Sequence, residues 1–429
     1  MTTSEFILQH RLSNPRDLAL QARRYPDVDM PYALNQIQGW QTARQKLPSW
    51  ASCDGVVYPP HLNMEQCSSE PTARYKQEVA LRWLNKLGVG HGGATTSMAD
   101  LTGGFGVDFS FTSRCFASAT YVERNSYLCD VVSGNLPRLG ISNANVVCAE
   151  AEDSLATMPQ QTMLFLDPAR RDEHGAKTVL MADCTPDVCR LLPQLMSKAR
   201  FVMLKLSPML DWHKAIADLK GTVDEVHIVS VGGECKELLL VLAGKVSVSS
   251  VDSGSLENGV RVYCVDIMPK AEADGEYKRS EFCYTIGGAA DNPPTLNPQP
   301  STLNSQLSTL NSQFLFEPNA SIMKAGCFAE LSQAYGVEAI GPNSHLFVSS
   351  GRVEQFPGRK FAIEAVCTLN KRQLKQTLGT LKQANIAVRN FPMSVAELRK
   401  RLKLRDGGDT YIFATTTMEG EHVLIICRK

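Results

Sequence analysis

Residues 98–108 read MADLTGGFGVD, an apolar run that stops on Asp100 and is followed by glycines at 103, 104 and 106. Glycines in such a turn let the backbone approach a ligand closely and let the amino terminus of the next helix face it. Twenty-three residues past Asp100, the run ATYVE stops on Glu123, where a carboxylate can accept both hydroxyl hydrogens of a ribose. A third acid, Glu150, follows the run NVVCA and opens the stretch EAED. Together the three acids and the glycine turn suit a ligand that contains a nucleoside. Glu150 alone suits an acid-rich helix amino terminus equally well.

A dinucleotide fits less well. Read from Gly104, the fingerprint GxGxxG needs glycine or alanine at position 109, and Phe109 stands there. An acid before the glycine turn suits a ligand with a cationic amino-acid end. S-adenosylmethionine has an ammonium, a sulfonium, a ribose and an adenine.

A second cluster lies in TMLFLDPARRDEHG, residues 162–175, where an apolar run ends on Asp167 and Pro168, then Ala169, Arg170 and Arg171. Ligands of open α/β sheets sit at the carboxyl ends of strands. Asp167 could orient or deprotonate an acceptor, and Lys205, at the end of RFVMLKL, could do the same if burial lowered its pKa. Arg170 and Arg171 suit a bidentate grip on phosphate, or ion pairs with Asp172 and Glu173. His174 reads as a surface residue.

The elements that must position these groups alternate. Between residues 72 and 243 short apolar runs alternate with amphipathic helical stretches, which predicts an α/β domain with a mostly parallel sheet. Its last two runs, EVHIVSV and ELLLVLA, are joined by GGECK and suit an antiparallel hairpin. Residues 4 to 50 read as helices punctuated by prolines. Residues 291–314 repeat STLNSQL without charge after Asp291 and read as a disordered insertion. The expected domains are a helical one at 1–71, the sheet domain at 72–245, a connecting α+β segment at 246–350, and a small basic α+β domain at 351–429.

The formal net charge is zero, but from Arg352 onward fifteen Lys and Arg stand against seven acids, which suits a polyanion-facing module joined to a different body and, on charge alone, a solvated basic face equally well. No run of about 18 apolar residues predicts a membrane span. The start MTTSEFILQHRLSNPRD lacks a basic region with an apolar core, so no secretory signal is expected. The thirteen cysteines include no CxxC, which predicts reduced thiols in a cytoplasmic protein and no zinc or other metal site.

These residues resemble the class I S-adenosylmethionine-dependent methyltransferases. Nearly the whole chain is similar to the methyltransferase family that carries a THUMP-like carboxyl-terminal domain. The likeness runs through EQCSSEPTARYK, DLTGGFGVD, YVERN, LFLDPARRD, LKLSPMLD, FEPNASIMKAG, GPNSHLF and the basic tail. It implies a Rossmann-like, seven-stranded sheet, S-adenosylmethionine as cofactor, and RNA as partner. Carried over by position, it puts cofactor contacts at Asp100, Thr102, Gly104 and Gly106, with Glu123 on the ribose and Arg124 beside the adenine. Glu150 and Ala151 would meet the adenine edge, and Asp167 and Pro168 would border the cofactor as the acid and proline of the fourth strand. Gln66, Ser68 and Thr72 match a segment that closes over the methionine end, although helix capping explains their types as well.

Two departures narrow the chemistry. Enzymes that methylate exocyclic amines place a second proline and an aromatic after the first pair, where this chain has Ala169 and Arg170. DPAR also resembles the uracil C5-methyltransferases, which attack the base with a cysteine after the next strand. Here that strand ends KLSP, with Ser207 and no cysteine. The expectation is transfer to a nitrogen or oxygen of RNA without a covalent cysteine intermediate. A non-catalytic RNA-binding protein of this fold and a small-molecule methyltransferase are the alternatives.

Overall fold

Capping residues mark out the amino-terminal helices. Helix α1 (Thr3–His10) opens on a capping box in which Thr2 Oγ1 accepts from the Glu5 N–H and the Glu5 carboxylate accepts from the Thr2 N–H. Helices α2 (Pro15–Leu20), α3 (Met30–Lys46) and α4 (Pro48–Ala51) each carry proline in their first two positions, where no N–H is needed. The computed structural model describes residues 1–90, 95–170, 181–243, 259–271, 275–287 and 313–429. The chain divides into two compact units, Met1–His227 with Lys236–Leu256, and Ile228–Cys235 with Glu257–Lys429.

The first unit continues with α5 (His61–Gln66) and α6 (Glu70–Lys86), then β1 (Ser97–Asp100), α7 (Val107–Thr112), β2 (Ser118–Glu123), α8 (Ser126–Arg138) and β3 (Ala144–Cys148). Next come α9 (Ala151–Thr157), β4 (Gln161–Leu166), the short pair β5 (Ala169–Arg170) and β6 (Cys184–Thr185), and α10 (Val188–Lys198). It closes with β7 (Ala199–Leu206), α11 (Trp212–Asp218) and the hairpin β8 (Val223–Val231) and β9 (Glu234–Leu242). Strand order is β8-β9-β7-β4-β1-β2-β3. The pairings from β7 to β3 are parallel, and β9 runs antiparallel to β7. Chain order reverses between β1 and β4, so their carboxyl ends part and leave a crevice. Every residue of β4 is buried, which is why that strand reads as a continuous apolar run.

The amino-terminal helices pack on the glycine turn. Leu47, Trp50, Tyr58 and Met64 form one buried cluster with Phe105, Val107 and Phe111, and the Trp50 and Phe105 rings meet edge-on at 4.9 Å. Asn135 of α8 reaches into the same segment: its amide donates to the Val57 carbonyl at 2.8 Å and its oxygen accepts from the Val57 N–H at 2.9 Å.

In the second unit, β10 (Val260–Ile267) and β11 (Arg279–Ile286) pair antiparallel. β10 lies beside the outer part of β8, where Gly232 N–H donates to the Ile267 carbonyl at 3.1 Å. Within this unit the strand order is β11-β10 and then the outer part of β8. An unpaired strand edge is a template for further pairing, and the apolar run VYCV of β10 supplies the buried partner. A seven-stranded sheet follows, built from β12 (Phe314–Pro318), β13 (Glu338–Ala339), β14 (Phe347–Ser349), β15 (Gly358–Thr368), β16 (Asn385–Arg389), β17 (Thr410–Thr416) and β18 (His422–Arg428). Helices α12 (Ala320–Ala325) and α13 (Phe328–Tyr335) precede β13, and α14 (Lys371–Leu378) and α15 (Val395–Leu402) flank β16. Helix α14 ends at Leu378, with Gly379 at its cap position. The insertion at 291–314 lies outside the described residues except for its last two.

Asn135→Ala should lower stability by about 2 kcal/mol, because it leaves the Val57 N–H and carbonyl without partners. A urea titration with an unchanged slope and a lower midpoint would show it.

Candidate functional site

The crevice is a cleft of about 300 Å³ at the carboxyl ends of β1, β2, β4 and β7. Asp100, Thr102, Gly104, Gly106, Glu123, Arg124, Glu150, Ala151, Asp167 and Lys205 line it, together with Gln66 and Ser68. Of the remaining expected residues, Pro168 is buried away from the lining. Thr72 also stays out: it is buried in the first turn of α6, where its hydroxyl donates to the Ser69 carbonyl at 3.0 Å. Arg170 contributes backbone to β5, and Arg171 lies outside the described residues, as do Asp172, Glu173 and His174.

The glycine turn stays in register with the sheet: Leu101 N–H donates to the Phe165 carbonyl and Gly103 N–H to the Val122 carbonyl. A Cβ at Gly103 would fall 2.1 Å from the Tyr121 ring, so only glycine fits. At Gly104 φ is +53°, and a Cβ would meet nothing nearer than the Thr102 carbonyl at 3.9 Å. The cradle is thus open toward the cleft. Phe109, in place of a third glycine, is fully buried and meets Tyr121 edge-on at 5.6 Å.

Backbone donors fix the acids. Both Glu123 oxygens are held, Oε2 accepting from the Gly104 N–H and Oε1 from the Asn125 N–H, each at 2.9 Å. Asp100 is 1% exposed and accepts from the Thr102 N–H at 3.0 Å. Burial pushes its carboxyl well above the ordinary value of 3.8, and the neighbouring Asp108 and Asp167 add to the shift. The Thr102 hydroxyl accepts from the Asp167 N–H at 2.6 Å, tying the ends of β1 and β4 together. Exposed Glu150 is the amino-terminal cap position of α9 and makes no side-chain cap bond.

Lys205 is not the neutral amine that burial alone would favour. Desolvation pulls its ammonium down, but Asp167, Asp108 and Glu237 together outweigh it, and the net shift is upward. Its Nζ donates to Asp167 Oδ2 and lies 3.5 Å from Asp108 Oδ2. The upward direction runs against the lowered pKa on which the expected role of base depended.

Asp108 is the residue the sequence reading missed. It accepts from the Ser68 hydroxyl at 2.7 Å, and its other oxygen lies 3.2 Å from Lys76 Nζ without hydrogen-bond alignment. Lys76 is fully buried and donates to both Glu237 oxygens at 2.5 and 2.7 Å. Burial works against the Asp108 carboxylate, but Lys76, Lys205 and Ser68 hold it below its ordinary value. A buried lysine on the apolar face of α6, three residues from Ala73 and from Val79, was the available signal. Cys67 also lines the cleft, and burial pushes its thiol up to about 11.

Residues 314–357 match the family model of a ferredoxin-like domain, and residues 358–429 match that of a THUMP domain-like family. Over its full length the chain is similar to the crystal structure of a "putative methyltransferase" from Porphyromonas gingivalis W83, with 26% identity and a TM-score of 0.78, covering 100% of this chain and 97% of that one. This chain has the methyltransferase fold, with ferredoxin-like and THUMP-like domains at its carboxyl end. A "putative class i s-adenosylmethionine-dependent methyltransferase" from Listeria monocytogenes is 9% identical over 45% of this chain and 67% of that one, with a TM-score of 0.33. A type I restriction-modification methyltransferase subunit from Streptococcus thermophilus is 13% identical over 47% of each chain, with a TM-score of 0.31. Both are too distant to bear on what this chain does. No curated protein matches the sequence. Among the described residues no helix is long and apolar enough to cross a membrane, and no group of three His, Cys, Asp or Glu could hold a metal ion.

Breaking the buried ion pair from one side should be costly. Lys76→Met should lose about 3–5 kcal/mol in urea unfolding, and adding Glu237→Leu should restore part of it. Equal losses in the single and double variants would contradict the pairing.

Proposed function

We propose that this chain is an S-adenosylmethionine-dependent methyltransferase that acts on RNA, at a nitrogen or oxygen acceptor. The carrying observation is the arrangement of buried Asp100, open Gly104 and backbone-held Glu123 around one cleft. Each Glu123 oxygen takes one backbone donor and keeps a second lone pair for a ribose hydroxyl. Asp100 and Asp108, which both line the cleft, meet a cationic amino-acid end. Arg124, Glu150 and Ala151 face the adenine. These residues fit the cofactor, which when bound supplies an electrophilic methyl group on a sulfonium.

The rest follows from the chain's own side chains. Asp167 stands at the reacting end, oriented by Lys205 and by its own N–H on Thr102. Cys67, held as a thiol, is a poor nucleophile, which supports transfer without a covalent cysteine intermediate. RNA as the partner is supported by the THUMP-like match and by the basic residues of 358–429. The cytoplasm is the compartment that the reduced cysteines fit.

Asp100→Ala or Glu123→Ala should abolish S-adenosylmethionine binding in calorimetry while circular dichroism stays native. Undiminished affinity in both variants would sink the reading. Because the Asp100 pKa is raised in the free protein, its proton is held above the ordinary carboxylate range, and a cationic ligand that favours the carboxylate must displace it. Affinity should therefore rise with pH up to the raised value and level off above it, and Asp100→Asn should flatten that dependence. Nucleoside mass spectrometry of RNA from cells lacking the protein should show one methylated nucleoside missing, whereas an unchanged profile speaks for a small-molecule acceptor or no transfer.

A further inference from the structure

The cleft is acidic, with one cation deep in its wall. Among the described residues Asp100, Asp108, Glu123, Glu150, Glu152 and Asp167 line it, against Arg124 and Lys205. Arg124 is exposed and follows Glu123 at the end of β2. Lys205 comes from the end of β7, and its side chain is 12% exposed. An ammonium has three donors. Among the described residues Lys205 directs them at two carboxylates, Asp167 and Asp108, and it lines the same cleft as Asp100.

An α-amino acid end carries an ammonium and a carboxylate on one carbon. Asp100 and Asp108 suit the first, but neither can accept the second. An uncompensated ligand carboxylate among these acids would be repelled. Lys205 is a buried-wall group that can receive it, 3.5 Å from Asp108 and in the same lining as Asp100.

We propose that Lys205 is the anchor for the carboxylate of the cofactor's amino-acid end, so that Lys205 with Asp100 and Asp108 reads both charges of a zwitterion. This rests on the reading that the cleft holds S-adenosylmethionine. It changes the part given to Lys205 from proton transfer to ligand selection, with Asp167 sharing the ammonium when the carboxylate arrives.

The test needs no acceptor. Calorimetry on the full chain compares S-adenosylmethionine with its decarboxylated form, for the wild type, Lys205→Met and Arg124→Gln, each checked by circular dichroism. The decarboxylated ligand has one more net positive charge, so an acidic cleft without an anchor should prefer it. With the anchor, the wild type should bind intact S-adenosylmethionine about tenfold more tightly or better. Arg124→Gln should keep that preference even if overall affinity drops, and Lys205→Met should lose or reverse it. A wild type that binds the decarboxylated form as well, or a preference lost in Arg124→Gln and kept in Lys205→Met, overturns the inference. If Lys205→Met fails to fold, the Arg124→Gln arm decides, since loss of the preference there assigns the carboxylate elsewhere. A wild type that binds neither ligand removes the cofactor reading itself, a separate outcome.

Discussion

Lys76 is an ammonium with no exposure to solvent, and the site is assembled around it. Taking such a charge out of water costs several kcal/mol, which only close and well-directed partners return. Glu237 of β9 supplies them from one side and Asp108 of α7 from another, while Lys76 itself comes from α6. Asp108 then faces Lys205 of β7, and Lys205 faces Asp167 at the end of β4. Five charged groups from five separate places in the chain are held in mutual register. With two ammonium groups and three carboxylates the network keeps an excess of negative charge when all are ionised, and buried Asp100 lies at its edge. That excess is what a ligand with a sulfonium and an ammonium would neutralise.

Aromatic packing does for the glycine turn what the ions do for the strand ends. The turn has no side chains of its own at 103, 104 and 106, so its shape is imposed from outside. Tyr121 covers Gly103 from below and its hydroxyl donates to the Gly104 carbonyl. Trp50 and Tyr58 hold Phe105 from the amino-terminal side. The helices before residue 71 are therefore part of the site's scaffold. Phe109 fits the same logic, because its ring takes the volume beside Tyr121 that a third glycine would leave open.

The legible part of this architecture is the part written locally. Parallel strands buried on both faces appear as apolar runs, and the acids that end them mark the cleft, so Asp100, Glu123 and Asp167 stand out in the sequence. Lys76 does not, because KQE inside TARYKQEVALRW reads as a polar turn of an amphipathic helix and its partner Glu237 is 161 residues away. Asp108 reads as an ordinary acid in a first helical turn, favourable to the dipole. The direction of the Lys205 shift was hidden for the same reason: desolvation can be guessed from an apolar strand, but the facing carboxylates cannot. Thr72 shows the opposite error, a residue type that suits a ligand but is satisfied by its own helix turn.

Charge in the carboxyl-terminal region follows a similar rule, since counting residues overstates what is available. Arg359 and Arg389 both bind Glu317, a buried acid that precedes the basic stretch, so their charge is matched within the fold. Arg399 pairs with Asp406 and Arg428 with Glu364. What is left stands mainly on helices: Lys371, Arg372 and Lys375 on α14, Lys400 and Arg401 on α15, and Lys403 just beyond. The apolar residues Leu374, Leu378, Leu398 and Leu402 of those helices pack into the same cluster as Ile412, Leu424 and Ile426. The other face of the sheet has a separate core of Phe361, Phe413, Val423 and Ile425. The two helices thus cover one face of the sheet and carry their cations on their outer sides. A field that the sequence spreads over the whole tail is concentrated on one layer, and a polyanion would be drawn to that layer.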